Sequence, residues 1–373
     1  MKKKIGITGQ NGFVGSHLYN TIGLSPDVFE RIEFNKDFFD EPVLLDQFVQ
    51  QCDVIVHLAA MNRHESQEFI YQTNIELVRR LAASLERTKS KAHVLFSSSL
   101  QEEKENWYGK SKKEGREILA NWAKNYNGKF TGMIIPNVFG PFGLPNYNSF
   151  IATFCYKLTH GETPTIDNDG EVKLIYVGEL VQEIINQIKI AETNELLEIA
   201  HTSTNKVSDV LATLNHFKAM YFDKNEIPEL DTTFDFNLFN TFRCYFNFKD
   251  HYPVKFVQNI DSRGAFVEVI RLGMGGQVSY STTVPGITRG NHYHTRKIER
   301  FAVIKGKALI QLRKIGTTEV LNFYLDGENP AFVDIPIWYT HNIKNIGEEE
   351  LFTMFWINEP YNPENADTYF VEV

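Results

Sequence analysis

Two groups of residues in this chain could do chemistry. The first is Tyr108-Gly109-Lys110-Ser111-Lys112, which sets Tyr108 and Lys112 four apart. At the start of a helix such a pair lies on one face. An ammonium beside a phenol favours the phenolate and lowers its pKa, so the tyrosine can deliver or accept a proton at an alcohol or ketone near neutral pH. Ser97, Ser98 and Ser99 close a strand nine residues before Tyr108, and a hydroxyl there can hold the same oxygen. Singly, each feature is commonplace; in this order, behind a glycine loop, they read as a proton-transfer site. The second group is "GNHYHTRKIER", with His292, His294 and Glu299. Residues two apart on a strand point to the same face, so the two histidines can share one ion and Glu299 can join from the next stretch of chain. "DIPIWYTHNIKN" adds His341 after a proline turn. Three imidazoles and a carboxylate make a mixed nitrogen/oxygen donor set. Zinc, manganese, iron and nickel all suit it. A lone His-x-His more often lines a barrel without metal, and it is the added Glu299 and His341 that point to an ion.

The elements that must position these residues change character along the chain. Lys4 to Thr8 is a short apolar strand, followed by Gly9, Gly12, Gly15 and a helix. "DVIVHLAA" (Asp53 to Ala60) and "AHVLF" (Ala92 to Phe96) are continuous apolar runs, as buried parallel strands are. Helices are expected at Asn74 to Arg87 and Tyr108 to Tyr126, with Gly132 to Ile135 strand-like again. The alternation implies βαβ units in a doubly wound, Rossmann-type parallel sheet. In such a sheet the glycine turn lets backbone approach a pyrophosphate seated on the helix N-terminus. After Arg243 the texture shifts. An aromatic stretch, Phe239 to Phe256, reads as a seam. Short strands with glycine and asparagine turns then follow, the pattern of an all-β sandwich or barrel.

The 373 residues are too many for one average domain. A formal charge of −9 without a basic stripe argues against nucleic acid. The polar, glycine-rich segment after "MKKK" is no signal-peptide core, and no run of about 18 apolar residues spans a membrane. Three scattered cysteines read as reduced thiols of a cytoplasmic protein.

Residues 1–245 resemble the extended short-chain dehydrogenase/reductase family. The likeness is carried by "TGQNGFVG" from Thr8, "HLAA" from His57, Asn74, the serine run, Tyr108/Lys112 and "PNVFG" from Pro136. It implies that Ser99 assists Tyr108, that Gly9, Asn11, Gly12, Phe13, Gly15, Leu58, Ala59, Lys112 and Pro136 hold a nicotinamide dinucleotide, and that Asn137 approaches a sugar-nucleotide phosphate. Beyond the expected second strand, Arg31 to Phe34, stands Lys36. A cation there suits a 2′-phosphate, which favours NADPH over NADH; Glu33 is the rival residue. Residues 252–373 resemble the cupin family, an all-β jelly-roll barrel, through Gly286, His292, His294, Glu299, Gly306, Pro336, His341 and Asn345. Trp338 stands where that family usually has glycine.

In this order the two halves resemble, over essentially the whole chain, bifunctional enzymes of capsular polysaccharide synthesis. "LPNYNSFIATFCYK", with Asn146 and Asn148 as expected substrate contacts, and the C-terminal "DTYFVEV" belong to that likeness. It implies carbon 3 epimerisation by the cupin, with zinc the expected ion, then NADPH reduction of the carbon 4 ketone. The substrate would be a UDP-linked 2-acetamido-2,6-dideoxy-4-hexulose and the product the L-talose derivative. Tyr280, Tyr293, Tyr339 and Lys305 are candidates for moving the carbon 3 proton. A homodimer through the cupin is expected. Two alternatives stay open: a 4-ketoreductase whose cupin only dimerises, and a non-catalytic NADPH-sensing protein.

Overall fold

In the computed structural model, which describes residues 2–147, 149–262 and 264–373, the chain forms two compact units. The first comprises residues 1–153 and 166–210, the second residues 154–165 and 211–373. Residues 211–245, read from sequence with the first domain, pack in the second unit.

The first unit is a wound parallel sheet. Its elements are β1 (Lys3–Thr8), α1 (Phe13–Gly23), β2 (Phe29–Ile32), α2 (Pro42–Gln51), β3 (Val54–His57), α3 (Gln67–Arg87), β4 (His93–Ser99), α4 (Trp107–Tyr126), β5 (Lys129–Ile135), β6 (Asn137–Phe139), the start of α5 (Phe150–Thr159), whose residues from Phe154 on belong to the second unit, β7 (Glu171–Tyr176), α6 (Val177–Ile190), β8 (Asn194–Glu198) and β9 (Ser203–Lys206). Six strands pair in the order β2-β1-β3-β4-β5-β8, all parallel. Strand alternation separates two cores. Ile55, Val94 and Phe96 meet Leu45, Phe48, Val78, Leu81 and Leu119 of α2 to α4 on one face. Ile5, Ile7, Val54, Val56 and Leu95 meet Leu18, Ile22, Leu180 and Ile184 of α1 and α6 on the other. Both faces are buried, which explains why these strands read as unbroken apolar runs. Several boundaries differ from the sequence reading, β2 and α3 among them. β2 lies at Phe29–Ile32, two residues earlier than expected. α3 begins at Gln67, capped by Ser66, so Asn74 sits inside the helix; the capping serine outweighs the polar start that hid the first two turns.

The second unit adds α7 (Val207–Phe217), which begins in the first unit, then α8 (Thr233–Phe242), α9 (Phe248–His251), β10 (Val254–Lys255), β11 (Gln258–Asp261), β12 (Gly264–Val267), β13 (Gln277–Thr283), β14 (Thr288–Tyr293), β15 (Glu299–Lys305), β16 (Lys307–Lys314), β17 (Val320–Asp326), β18 (Ala331–Ile335), β19 (Tyr339–Asn345), β20 (Leu351–Ile357) and β21 (Tyr369–Phe370). The strands form two antiparallel five-stranded sheets, β10-β18-β15-β20-β13 and β17-β16-β19-β14-β21, with β11-β12 as a hairpin. Among the described residues no pairing joins the two sheets into a closed barrel. Buried charge fastens the helical segment to the first sheet. Arg300 on β15 grips Asp334 on β18 with both ends of its guanidinium, at 2.7 and 2.9 Å. Tyr221 gives its hydroxyl hydrogen to the same carboxylate at 2.7 Å, and Arg243 reaches the Ile335 carbonyl at 2.8 Å. Removing one partner of such a buried pair leaves an uncompensated charge, which costs about 3–5 kcal/mol.

Candidate active site and metal centre

The glycine turn between β1 and α1 is closed by main chain alone. Gly9 has φ 77°, and the Gly12 amide donates to its carbonyl at 2.9 Å. A Cβ on Gly15 would stand 2.1 Å from the Gly9 oxygen, and one on Gly9 would stand 2.9 Å from the Ala59 nitrogen. No side chain caps α1, and its first turn carries no acid. The amides near Phe13 are therefore free to meet an anion at the positive end of the helix. Asn11 is exposed beside the turn. Leu58 and Ala59 follow β3, bonded through their amides to the Thr8 carbonyl and hydroxyl at 3.1 and 3.4 Å. Lys36 opens a short helical turn just past β2, and both it and Glu33 are exposed.

Asn106 caps α4 by accepting from the Gly109 amide at 2.7 Å. A Cβ on Gly109 would lie 1.9 Å from the Gln101 oxygen, so the helix start packs directly on the turn that follows Ser99. Lys112 is buried, and its Nζ donates to the Ser97 carbonyl at 2.9 Å. Nζ lies 5.6 Å from the Tyr108 ring centre. Ser99 Oγ accepts from the Gln101 amide at 3.2 Å. The neighbouring Ser98 is engaged elsewhere, with Glu102, which Arg116 holds at 2.8 Å.

Sequence reasoning gave Tyr108 a lowered pKa, and the structure corrects it. Burial pushes the phenol up to about 12, and the nearby Tyr147 adds to this. Burial pulls Lys112 down to about 8, with Glu102 opposing. Spacing on a helix predicted the pair but not its desolvation, which is the largest influence on both groups. Tyr108 is thus a phenol poised to donate.

Two residues escaped the sequence reading. Asn74, placed there only as a helix start, accepts from the Met61 amide at 2.7 Å and donates to the Met61 carbonyl and Ser111 Oγ. Ser111 in turn bonds the Tyr108 carbonyl at 2.7 Å. This chain of bonds fixes Tyr108 against the loop after β3. Tyr147 accepts from the Asn62 amide of that loop at 3.3 Å. Its position between two expected substrate asparagines was the available signal. Pro136 is buried between β5 and β6. Asn137 is exposed and donates to the Lys173 carbonyl at 3.3 Å. Asn146 takes φ 58° and bonds Thr153 through its amide. Asn148 lies outside the described residues.

In the second unit His292, His294, Glu299 and His341 converge, with their ligand atoms all within 4.8 Å of one another. β14 pairs with β19 so that His292 lies opposite His341. A bulge at Asn291, with φ 60°, re-aims the strand. Glu299 opens β15 and approaches His294 Nε2 at 3.0 Å and His341 Nε2 at 3.3 Å. Burial, together with the other two imidazoles, pulls His292 down to about 4. Burial works against charge on Glu299, yet His294 and His341 hold its carboxyl well below the usual range. His294 Nε2 and Glu299 lie at hydrogen-bonding distance, and with His292 and His341 these atoms make a mixed nitrogen/oxygen donor set that a divalent cation could bind. His341 Nε2 is buried without a well-directed hydrogen bond. Ion–ligand bonds of roughly 2.0–2.2 Å fit these separations with a small closure. The glycine-type turn before His341 is made by Trp338 itself, at φ 62°. Its ring stacks on Tyr293 at 5.7 Å and its amide donates to the His294 carbonyl at 2.8 Å; packing and that bond offset the strain of a left-handed tryptophan. Of the candidate proton carriers, Tyr293 is buried beside His292, Tyr280 is 73% exposed, and burial raises Tyr339. Lys305 is exposed at the end of β15.

Residues 5–199, more than half the chain, match the NAD dependent epimerase/dehydratase family. The chain belongs to that family. Its C-terminal part, residues 259–369, matches a polysaccharide biosynthesis C-terminal domain. This epimerase/dehydratase-family chain is 33% identical to the capsular polysaccharide assembling protein CapF of Staphylococcus aureus, over 99% of this chain and 100% of that one, with a TM-score of 0.62. It is 30% identical over 377 residues, 99% of each chain, to UDP-2-acetamido-2,6-beta-L-arabino-hexul-4-ose reductase of Pseudomonas aeruginosa. A third likeness, 29% over 125 residues, is to the spore coat polysaccharide biosynthesis protein SpsL of Bacillus subtilis; it covers 30% of this chain and 82% of that one. The family's nicotinamide dinucleotide suits the uncapped glycine turn. Among the described residues no helix is long and apolar enough to cross a membrane.

Proposed function

We propose that this protein converts a UDP-linked 2-acetamido-2,6-dideoxy-4-hexulose to the L-talose derivative in two steps, carbon 3 epimerisation and then carbon 4 reduction, during synthesis of a surface polysaccharide. The observation that carries the reading is the presence, in one chain, of a half-buried Tyr108 over a buried Lys112, an uncapped glycine turn, and a three-histidine, one-glutamate cluster of which all but His292 is buried. The full-length likeness to a hexulose reductase and to a capsule protein supports the substrate class. When bound, NADPH supplies hydride, and a divalent ion, with zinc expected, supplies positive charge for the enolate oxygen that forms when the carbon 3 proton leaves. Tyr108 gives its proton to the carbon 4 oxygen as hydride arrives. Ser99 holds that oxygen, while Lys112 steadies the ribose and the phenol. Asn137 and Asn146, with Asn148, receive the nucleotide sugar. His292, His294, Glu299 and His341 would hold the ion in a cupin jelly roll formed from the two antiparallel sheets, through which a homodimer forms in the cytoplasm.

The decisive test follows NADPH absorbance with the 4-keto substrate in deuterium oxide, with and without a chelator. Expected are NADPH oxidation, deuterium at carbon 3 of the product, and loss of that deuterium with chelator. A second reading, reduction alone, draws on the name of the Pseudomonas relative, which mentions only a reductase. Product free of deuterium at carbon 3 would establish it. A protein that merely senses NADPH would have no use for the Tyr108/Lys112 pair, and an absence of any NADPH oxidation would sink both enzyme readings.

Lys36 gives a separate prediction. Lys36→Ala should raise KM for NADPH by about five- to tenfold, the equivalent of about 1–1.4 kcal/mol, and leave KM for NADH unchanged. Equal effects on the two cofactors would remove the argument for a 2′-phosphate contact.

A further inference from the structure

The histidine–glutamate cluster is gripped by a part of the chain outside both metal motifs. Near the C-terminus, β21 pairs with β14, placing Tyr369 opposite Tyr293 and Phe370 opposite His292. Just before it, Asp367 turns into the left-handed region at φ 42°, and its side chain is buried. One carboxylate oxygen accepts from the Thr295 amide at 3.1 Å and from Thr295 Oγ1 at 2.6 Å. The other accepts from the amides of Arg296 and Lys297 at 3.0 and 3.2 Å. Those three residues are the start of the loop that joins His294 to Glu299. The loop grips back: Lys297 Nζ donates to the Ala366 carbonyl at 2.5 Å, and Arg296 donates to the Asn365 carbonyl at 3.0 Å.

The main chain of Asp367 does something separate. Its carbonyl accepts from Nδ1 of His294. A carbonyl oxygen can only accept, so Nδ1 carries the hydrogen and Nε2 is the nitrogen that faces Glu299 and the centre of the cluster. A buried carboxylate with four donors, set two residues before the strand that pairs with the His292 strand, is costly to bury for mere loop closure.

We propose that Asp367 is the positioning residue of the metal centre, and that residues 365–370 are a clasp which sets the His294 tautomer and the distance between His294 and Glu299. The proposal rests on the metal reading above. Partners that orient ligands in this way typically contribute 10–100-fold to metal affinity.

The test uses the full-length protein and two variants. Asp367→Asn sets an amide NH2 against backbone N–H donors. Thr295→Val removes one donor to the carboxylate and leaves the ligands untouched. Zinc affinity is measured by competition with a chromophoric chelator, and the cobalt-substituted protein is read by its visible absorption. Expected is zinc binding about 10–100-fold weaker in Asp367→Asn, a smaller loss in Thr295→Val, and an altered cobalt spectrum in both, with far-ultraviolet circular dichroism like wild type. If Asp367→Asn does not fold, Thr295→Val decides by itself. Unchanged affinity and unchanged cobalt spectrum in the folded variants overturn the clasp while leaving the metal centre standing. A wild-type protein that takes up neither zinc nor cobalt overturns the metal reading, and the clasp with it.

Discussion

Tyr108→Phe should lower kcat for ketone reduction by about a thousandfold, equivalent to about 4 kcal/mol in the barrier, while the affinity for NADPH stays within about twofold. The phenol's buried environment holds its proton, so the wild-type residue is loaded as a donor across the physiological range and phenylalanine has nothing to give. The accompanying pH profile comes from Lys112. Its ammonium, brought down from 10.5 to about 8 by burial, is charged below pH 8 and neutral above. Reduction should therefore be flat from pH 6 to about 8 and then fall. Lys112→Arg, which does not titrate in this range, should lose that alkaline limb even if its overall rate is lower. Steady-state kinetics from pH 6 to 10 checks both. A Tyr108→Phe enzyme with near wild-type turnover would move proton donation to another group, with Tyr147 the first to examine.

On the proposed two-step reading, Glu299→Gln should lower deuterium exchange at carbon 3 by about a thousandfold or more and spare reduction of a substrate already inverted at that carbon. The cluster has one carboxylate among three imidazoles, so the amide removes its only negative charge and weakens hold on a divalent ion. Stabilising the enolate oxygen accounts for several kcal/mol of the barrier, and losing about 4 kcal/mol is a thousandfold in rate. His294→Ala should do the same by removing the ligand nearest Glu299. Exchange is read by mass spectrometry of the nucleotide sugar and reduction by NADPH absorbance. Persistent exchange in metal-free Glu299→Gln would detach epimerisation from this cluster.

Much of this molecule is legible without its structure. The glycine triplet works through backbone that must come close to backbone, and the 2.1 Å that a Cβ on Gly15 would leave to the Gly9 oxygen is a constraint written in residue type. The parallel sheet is legible because both its faces are buried, and burial on both faces shows as unbroken apolar runs. His292, His294, Glu299 and His341 are legible as a set because strand periodicity and donor chemistry agree. What stayed hidden depends on neighbours distant along the chain. The direction of the Tyr108 shift follows from how much water the fold excludes around two residues, which no spacing reports. Asn74 matters through Met61 and Ser111, and Asp367 through residues some seventy positions earlier.

Residue types and periodicity alone marked out an α/β half with a glycine turn, a β half, the Tyr108/Lys112 pair and the four residues of the histidine–glutamate cluster, because those properties belong to single residues or to their local period. The tertiary structure alone decided the charge states at the Tyr/Lys pair, the left-handed Trp338 turn and the C-terminal grip on His294. Desolvation and hydrogen-bond partnership are properties of surroundings, and surroundings exist only once the chain has folded.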